Sequence, residues 1–182
     1  MSSHLSPVVV CFDFCHSGSA ALHRAVILAA KAPGHVLHVV CVIDPAEAIP
    51  IITPYNGIDH MYAARVQEAI TAEIQGELDK AEVHDRVHFF VHARIGKPAQ
   101  EILVLARDVG ADLIIVGSER MTGASHIRLG SIAEQVVREA GCAVEIARAK
   151  QYAEVTLMPS ELIEPHAAYV LPQHYIYEDH RV

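Results

Sequence analysis

The sequence predicts an α/β fold, a doubly wound five-stranded parallel sheet with helices on both faces. The first observation is a set of short, continuously apolar runs, such as residues 8–13 and 35–43, which are typical of strands buried on both sides. The second is that these runs alternate along the chain with longer segments of helical character. Such alternation indicates parallel strands joined by right-handed helical crossovers, which cover the two faces of the sheet.

The first half of the chain is predicted to contain two strands and two helices. The apolar run 8–13 ends in Asp13, and the Ala-, Leu- and Val-rich segment 17–31 forms a helix that Gly34 terminates. The second strand, 35–43, closes at Asp44-Pro45. After a proline-marked loop comes a helix whose apolar stripe recurs at every fourth residue, namely Tyr62, Val66, Ile70, Ile74 and Leu78.

The second half is predicted to add three strands and two helices. Strand 87–91 precedes a helix with Pro98 near its first position and Gly110 just past its end. Strand 112–116 leads through a glycine into a polar loop. A helix over 132–140 then precedes the fifth strand, Ala143 to Ala147.

Composition and charge restrict the classes of partner. The chain has 182 residues, 52% of them hydrophobic, which suits one well-buried domain. Its formal net charge is −8, from 14 Lys and Arg against 22 Asp and Glu, and this disfavours nucleic acid and anionic membrane surfaces. The N-terminus lacks the pattern of a secretory signal, and apolar runs such as 25–30 are far shorter than the roughly 18 residues that span a bilayer. We expect a cytoplasmic protein that binds neither nucleic acid nor membrane.

The cysteines and histidines form no recognisable metal motif. The four cysteines lack metal-type pairing, and we expect reduced, mostly buried thiols at Cys11, Cys15, Cys41 and Cys142. The 13 histidines are scattered. Alternation along a strand would place His88 and His92 on one face, but no carboxylate or cysteine completes a ligand set. We predict no metal site. No nucleophile elbow, redox Cys-x-x-Cys or Walker lysine is present either, so we predict no catalytic residue.

The segment from the fourth strand to the following helix has the features of an anion site. Gly117 follows the strand, and a second glycine, Gly130, precedes a helix whose Ser131 and Glu134 have capping-box spacing. Free amides and the positive end of the helix dipole favour a phosphate here. Because the carboxyl ends of parallel strands share one edge of the sheet, Asp13 after the first strand is expected in the same crevice. A plain helix cap at Ser131 and a strand-end cap at Asp13 are the structural alternatives.

Several short segments stand out when they are taken in chain order, namely Asp13, Val42-Ile43-Asp44-Pro45, Ile95 to Ile102, Gly110 to Ser118, Leu129 to Glu134, and Gly141 to Val144. Together they resemble the universal stress protein family. Each is weak alone, but their order and spacing are specific, and the resemblance extends from about residue 7 to residue 148. We therefore expect a Rossmann-like sheet of strand order 3-2-1-4-5. The family domain would occupy residues 1–148, and residues 149–182 would form a partly ordered C-terminal extension.

The resemblance implies a site for ATP, with or without Mg²⁺. Asp13 would meet the ribose, and the backbone near Val42 would meet adenine. Gly117 would let the loop pass close to the nucleotide. Three consecutive residues would present amides to the phosphates, namely Gly130, Ser131 and Ile132.

The chain departs from the ATP-binding pattern at two places. Arg120 occupies the position of the middle glycine, where it would either block the phosphates or bind them through its guanidinium group. Phe14-Cys15 follows the acid where the family usually has a small Gly-Ser pair, and Phe14 would either narrow the pocket or stack on a base.

Two functions follow from the resemblance. The first is a nucleotide-responsive stress regulator that binds ATP and turns it over slowly if at all. The alternative is a scaffold or signalling dimer of the same family whose nucleotide site has degraded. In both, the fifth strand, Ala143 to Ala147, is expected at an edge of the sheet and is predicted to form a two-fold homodimer, alongside protein partners that the sequence does not identify.

Overall fold

A computed structural model of the chain describes residues 5–32, 34–46, 49, 52, 57–83, 87–118 and 129–149. Its five strands are β1 (Ser6–Cys11), β2 (His35–Ile43), β3 (His88–Ile95), β4 (Leu113–Gly117) and β5 (Ala143–Ala147). Its four helices are α1 (His16–Lys31), α2 (His60–Ala81), α3 (Pro98–Val109) and α4 (Ser131–Glu139). Every predicted strand and helix is present, and the fold class is confirmed.

All the strands are parallel, and the sheet has the order β3-β2-β1-β4-β5. This is the predicted 3-2-1-4-5 arrangement, in which the direction of winding reverses between β1 and β4. The helices that follow these two strands therefore lie on opposite faces, and a crevice opens between them at the carboxyl edge of the sheet.

The hydrophobic core lies in two layers, one on each face of the sheet. Under α1 and α2, side chains such as Leu37 and Ile115 are fully excluded from solvent, and the predicted α2 stripe from Tyr62 to Leu78 packs here. Under α3 and α4, the layer includes Val9 and Ile114. Because β1, β2 and β4 are buried on both faces, they read as continuous apolar runs in the sequence.

The third strand is longer than the sequence predicts. It extends to Ile95 because its residues pair with β2 along nearly the whole of that strand, from Val36 opposite His88 to Ile43 opposite Ile95. As an edge strand it is only partly covered on either face, so polar residues such as His92 and Arg94 are compatible with it. The strand therefore lacks the continuous apolar pattern of the inner strands.

Helix ends in the structure depend on side chains that the sequence patterns did not single out. Cys15 caps α1 by accepting a hydrogen bond from the Gly18 amide, and Asp59 caps α2 by accepting one from the Tyr62 amide. Gly110 ends α3 in the left-handed conformation, as predicted.

None of the helices in the described part of the chain is both long and apolar enough to cross a membrane.

Candidate functional site

An open cavity of about 630 Å³ lies at the carboxyl edge of the sheet, where the winding reverses. Its walls come from the ends of β1, β2 and β4 and from the first turns of α1, α3 and α4. Six of the predicted site residues line it, namely Asp13, Val42, Gly117, Gly130, Ser131 and Ile132. The seventh, Arg120, lies outside the described residues, as does the extension 149–182 apart from Ala149.

Asp13 lies at the rim of this cavity in the turn between β1 and α1. Its side chain is exposed, and Oδ1 accepts a hydrogen bond from the Cys15 amide at 3.2 Å. One of its two oxygens therefore caps the following turn, as the structural alternative predicted. The carboxylate has further acceptor capacity that it can direct into the cavity.

Two glycines make this arrangement possible. A Cβ on Gly18 would overlap the Asp13 carboxylate, and a Cβ on Gly117 would overlap the Ser17 carbonyl. Gly117 is therefore needed for the close approach of β4 to the first turn of α1, whether or not a ligand is bound. These contacts draw the β1–α1 turn and the end of β4 to one wall of the cavity.

The N-terminus of α4 differs from the predicted capping box. Gly130 is the N-cap residue, Ser131 is already helical, and no side chain of the described residues caps the helix. Glu134 accepts a hydrogen bond from Arg138 at 2.6 Å. The prediction is wrong because the helix begins one residue too early for Ser131 to act as its cap. The consequence is that the first residues of α4 line the cavity, and no side chain in the described part of the chain takes up their amides.

Phe14 is not among the residues that line the cavity, although Phe12, which it contacts, is. Its ring packs edge-on against Phe12, with centroids 4.8 Å apart, on the core layer beneath α1 and α2. Its backbone is left-handed, with φ 60°. Phe14 thus stands where the family usually has a small residue, and its side chain turns into the core. The left-handed backbone that it adopts there is unfavourable for a bulky residue.

The cavity also includes residues that sequence reasoning did not assign to the site. Cys15, His16 and Ser17 begin α1, and Pro98 and Ile102 come from α3. The first three come two to four residues after Asp13, so their position just after the first strand was a signal that the sequence offered. The contribution of α3 arises only from its packing across β1 and β2, and no local motif indicates it.

The thiols differ in accessibility. Burial, with a smaller contribution from the Asp13 charge, raises the pKa of Cys11 and of Cys41 to about 12, so both stay protonated. Cys142 is half-buried, whereas Cys15 is exposed at the cavity wall. The expectation of mostly buried thiols therefore holds for Cys11 and Cys41 and is wrong for Cys15, which lies in the β1–α1 turn.

Similarity to known proteins agrees with this architecture. The model of the universal stress protein family matches residues 5–148. A universal stress protein of Methanothermobacter thermautotrophicus is 29% identical over 118 residues, which cover 63% of this chain and 79% of that protein.

Solved structures share the fold. A universal stress protein in complex with cAMP is 23% identical, with a TM-score of 0.54, and the match covers 79% of this chain and 97% of that one. A universal stress protein from Archaeoglobus fulgidus in complex with dAMP is 18% identical, with a TM-score of 0.55, over 80% of this chain and 98% of that one. With the family model matching most of its length and the sheet order that the family predicts, this chain belongs to the universal stress protein family.

Proposed function

We propose that the chain is a stress-response regulator that binds an adenine nucleotide, ATP in the first instance, in the cavity at the carboxyl edge of the sheet. The observation that carries the proposal is that the N-terminus of α4, which no side chain of the described residues caps, lines the same cavity as Asp13. Amides at a helix start favour phosphate, and a carboxylate at a strand end can accept hydrogen bonds from ribose hydroxyls. Two structural neighbours are complexes with cAMP and dAMP, which are nucleotides of the proposed class.

Each of the seven predicted site residues has a proposed role. Gly130, Ser131 and Ile132 present amides to the phosphates of ATP, which binds with or without Mg²⁺. Asp13 binds the ribose, and the backbone at Val42 borders the adenine. Gly117 keeps the wall close to the ligand, and Arg120 either supplies a guanidinium group to the phosphates or blocks them.

Calorimetric titration of nucleotide-stripped protein with Mg-ATP tests this proposal. The native chain is expected to bind saturably, and Asp13→Asn to bind about 10- to 100-fold more weakly, because a hydrogen bond to a charged group contributes about 1.5–3 kcal/mol. Asp44→Asn is the matched control. Asp44 also follows a strand and accepts an amide hydrogen bond, from Ala46 at 2.8 Å, but it is not among the residues that line the cavity.

The variant Arg120→Gly separates the proposal from its alternative. Binding by the native chain means that the arginine is compatible with nucleotide. Binding by Arg120→Gly alone would mean a site that the arginine closes, and the scaffold function would replace the proposal. Absence of binding by both chains would contradict nucleotide binding altogether.

We also propose that the protein acts as a homodimer through β5. This strand is at the edge of the sheet, and four of its five residues are apolar. The fifth, Glu145, is paired with Arg24 of α1, so the edge lacks the uncompensated charge that protects many edge strands. Sedimentation equilibrium is expected to give twice the chain mass of 19.8 kDa. A monomer at all concentrations tested would contradict this.

A further inference from the structure

Two histidines meet on the sheet face that α3 covers, outside the residues that line the cavity. His38 of β2 and His92 of β3 belong to segments 54 residues apart, and His38 Nδ1 lies 3.1 Å from His92 Nε2. The His38 ring also stacks on Phe90, with centroids 5.0 Å apart and planes inclined by 20°. Stacking and pairing hold the two imidazoles side by side at the edge of the sheet.

Both rings are available as neutral ligands. Burial lowers the pKa of His38, and burial, His38 and the Arg94 charge lower that of His92. Both side chains are only half-buried, so solvent and small solutes reach them. In the neutral pair one nitrogen donates to the other. If that proton moves to the other nitrogen of its own ring, through solvent, both facing nitrogens carry lone pairs without a change in net charge.

The distance between the two nitrogens suits a shared metal ion. With Zn–N bonds of about 2.0–2.1 Å, two nitrogens bound to one tetrahedral ion are about 3.3–3.4 Å apart. The observed separation of 3.1 Å is within a few tenths of an ångström of that value. For both lone pairs to point at one ion, each must turn by roughly 40° from the line that joins the two nitrogens, so both imidazoles reorient when the ion binds.

The side chains near His38 and His92 determine how many protein ligands a bound ion would have. Within the described residues, no group of three His, Cys, Asp or Glu side chains is placed to hold a metal ion. The nearby carboxylates on α3 are engaged by Arg94, which contacts Asp108 at 3.2 Å and Glu101 at 3.4 Å. Any remaining coordination positions would therefore be filled by water, which makes the site open rather than closed.

We propose that His38 and His92 form a two-imidazole site for a divalent transition-metal ion of the Cu²⁺ or Zn²⁺ class. Imidazole suits these ions, and the Irving–Williams order places Cu²⁺ first. The ion would join β2 to the edge strand β3. Because the unfolded chain lacks this preformed pair, the ion also stabilises the fold. The site is separate from the nucleotide cavity and does not depend on nucleotide binding.

Titration of the untagged full chain with Cu²⁺ and with Zn²⁺ tests the proposal. The tightest site is expected to take one ion per chain, and His38→Gln or His92→Gln is expected to weaken it at least tenfold. His88→Gln is the matched control, because His88 is on the same strand and face, two residues before Phe90, and is exposed. Unchanged binding in the pair variants, or an equal loss in His88→Gln, would overturn the assignment.

A second measurement needs no variant and so covers the case in which a substitution prevents folding. Substoichiometric Cu²⁺ broadens the NMR signals of the ligands that bind it, and the ring signals of His38 and His92 are expected to broaden before those of the other 11 histidines among the 13 in the chain. Zn²⁺ is expected to raise the midpoint of thermal unfolding of the native chain. Earlier broadening at other histidines would overturn the proposal.

Discussion

At the residue scale, Gly117 is a position at which the structure leaves no room for a side chain. Its Cα faces the backbone of Ser17 at the start of α1, and an added methyl group would overlap the Ser17 carbonyl. Gly117→Ala is therefore expected to lower the free energy of unfolding by about 1–3 kcal/mol, the usual cost of overpacking. Urea denaturation followed by circular dichroism measures this.

Gly76 is the matched control for that substitution. It lies within α2, and an added Cβ would meet nothing within 4 Å. Gly76→Ala is expected to raise the free energy of unfolding by about 0.5–1 kcal/mol, because alanine loses less backbone entropy than glycine in a helix. Equal effects of the two substitutions would show that the Gly117 contact is not the determinant.

A second prediction at the residue scale concerns stability at Phe14, whose left-handed backbone favours glycine. Phe14→Ala and Phe14→Gly both remove the ring, and with it the contact with Phe12. They differ in backbone preference alone, so Phe14→Gly is expected to be the more stable by about 1 kcal/mol. Denaturation midpoints of the two variants test this, and a more stable alanine variant would contradict the left-handed conformation.

At the scale of elements, helices α2 and α4 differ in how their N-termini are capped. In α2, Asp59 Oδ1 accepts a hydrogen bond from the Tyr62 amide at 2.7 Å, whereas α4 begins at Gly130 and has no side-chain cap from the residues that the structure describes. Asp59→Ala is expected to lower the free energy of unfolding by about 1 kcal/mol. Glu68→Ala, an exposed position of the same helix, is the control and is expected to change it by less than about 0.5 kcal/mol. A loss no greater than that of the control would mean that the cap does not stabilise α2.

The lengths of the elements were less predictable than their existence. The inner strands β1, β2 and β4 are recognisable because burial on both faces makes them apolar throughout. The edge strand β3 continues through His92 and Arg94 because backbone pairing with β2 maintains it. Backbone hydrogen bonds do not depend on side-chain type, so this extension has no signal in the sequence.

At the scale of the whole molecule, acid is expected to destabilise the fold in two stages. The pKa values of His38 and His92 are lowered from 6.5, mainly by burial, so below about pH 6.5 the unfolded chain binds protons that the folded chain resists. Stability is therefore full above pH 6.5 and falls as the pH decreases below it. His38→Gln/His92→Gln is expected to have a flatter pH dependence between pH 7.5 and 5.5, measured by urea denaturation. An identical slope would contradict this.

The second stage of acid destabilisation is due to Glu77 of α2, which forms a hydrogen bond with His23 of α1. Burial alone would raise its pKa, but hydrogen bonds from Lys80 at 2.6 Å and with His23 at 3.0 Å outweigh burial and lower it. Its contribution to stability is present above pH 4.5, the ordinary value, and is lost as the pH falls through the lowered pKa. Glu77→Gln is expected to reduce the loss of stability below pH 4.5. A native-like acid transition in this variant would contradict that role.

The sequence by itself determined the fold class and the edge of the sheet at which Asp13, Gly117 and Gly130 meet, because hydrophobic periodicity identifies the elements and parallel topology brings strand ends to one edge whatever the packing details. The strand order came from the resemblance of its motifs to the universal stress protein family. The tertiary structure alone decided that Gly130 rather than Ser131 is the N-cap residue of α4, that Phe14 turns into the core, and that α3 adds a wall to the cavity. It also brought His38 to His92 across 54 residues. These features depend on register within a single helical turn and on contacts between distant segments, and local patterns encode neither.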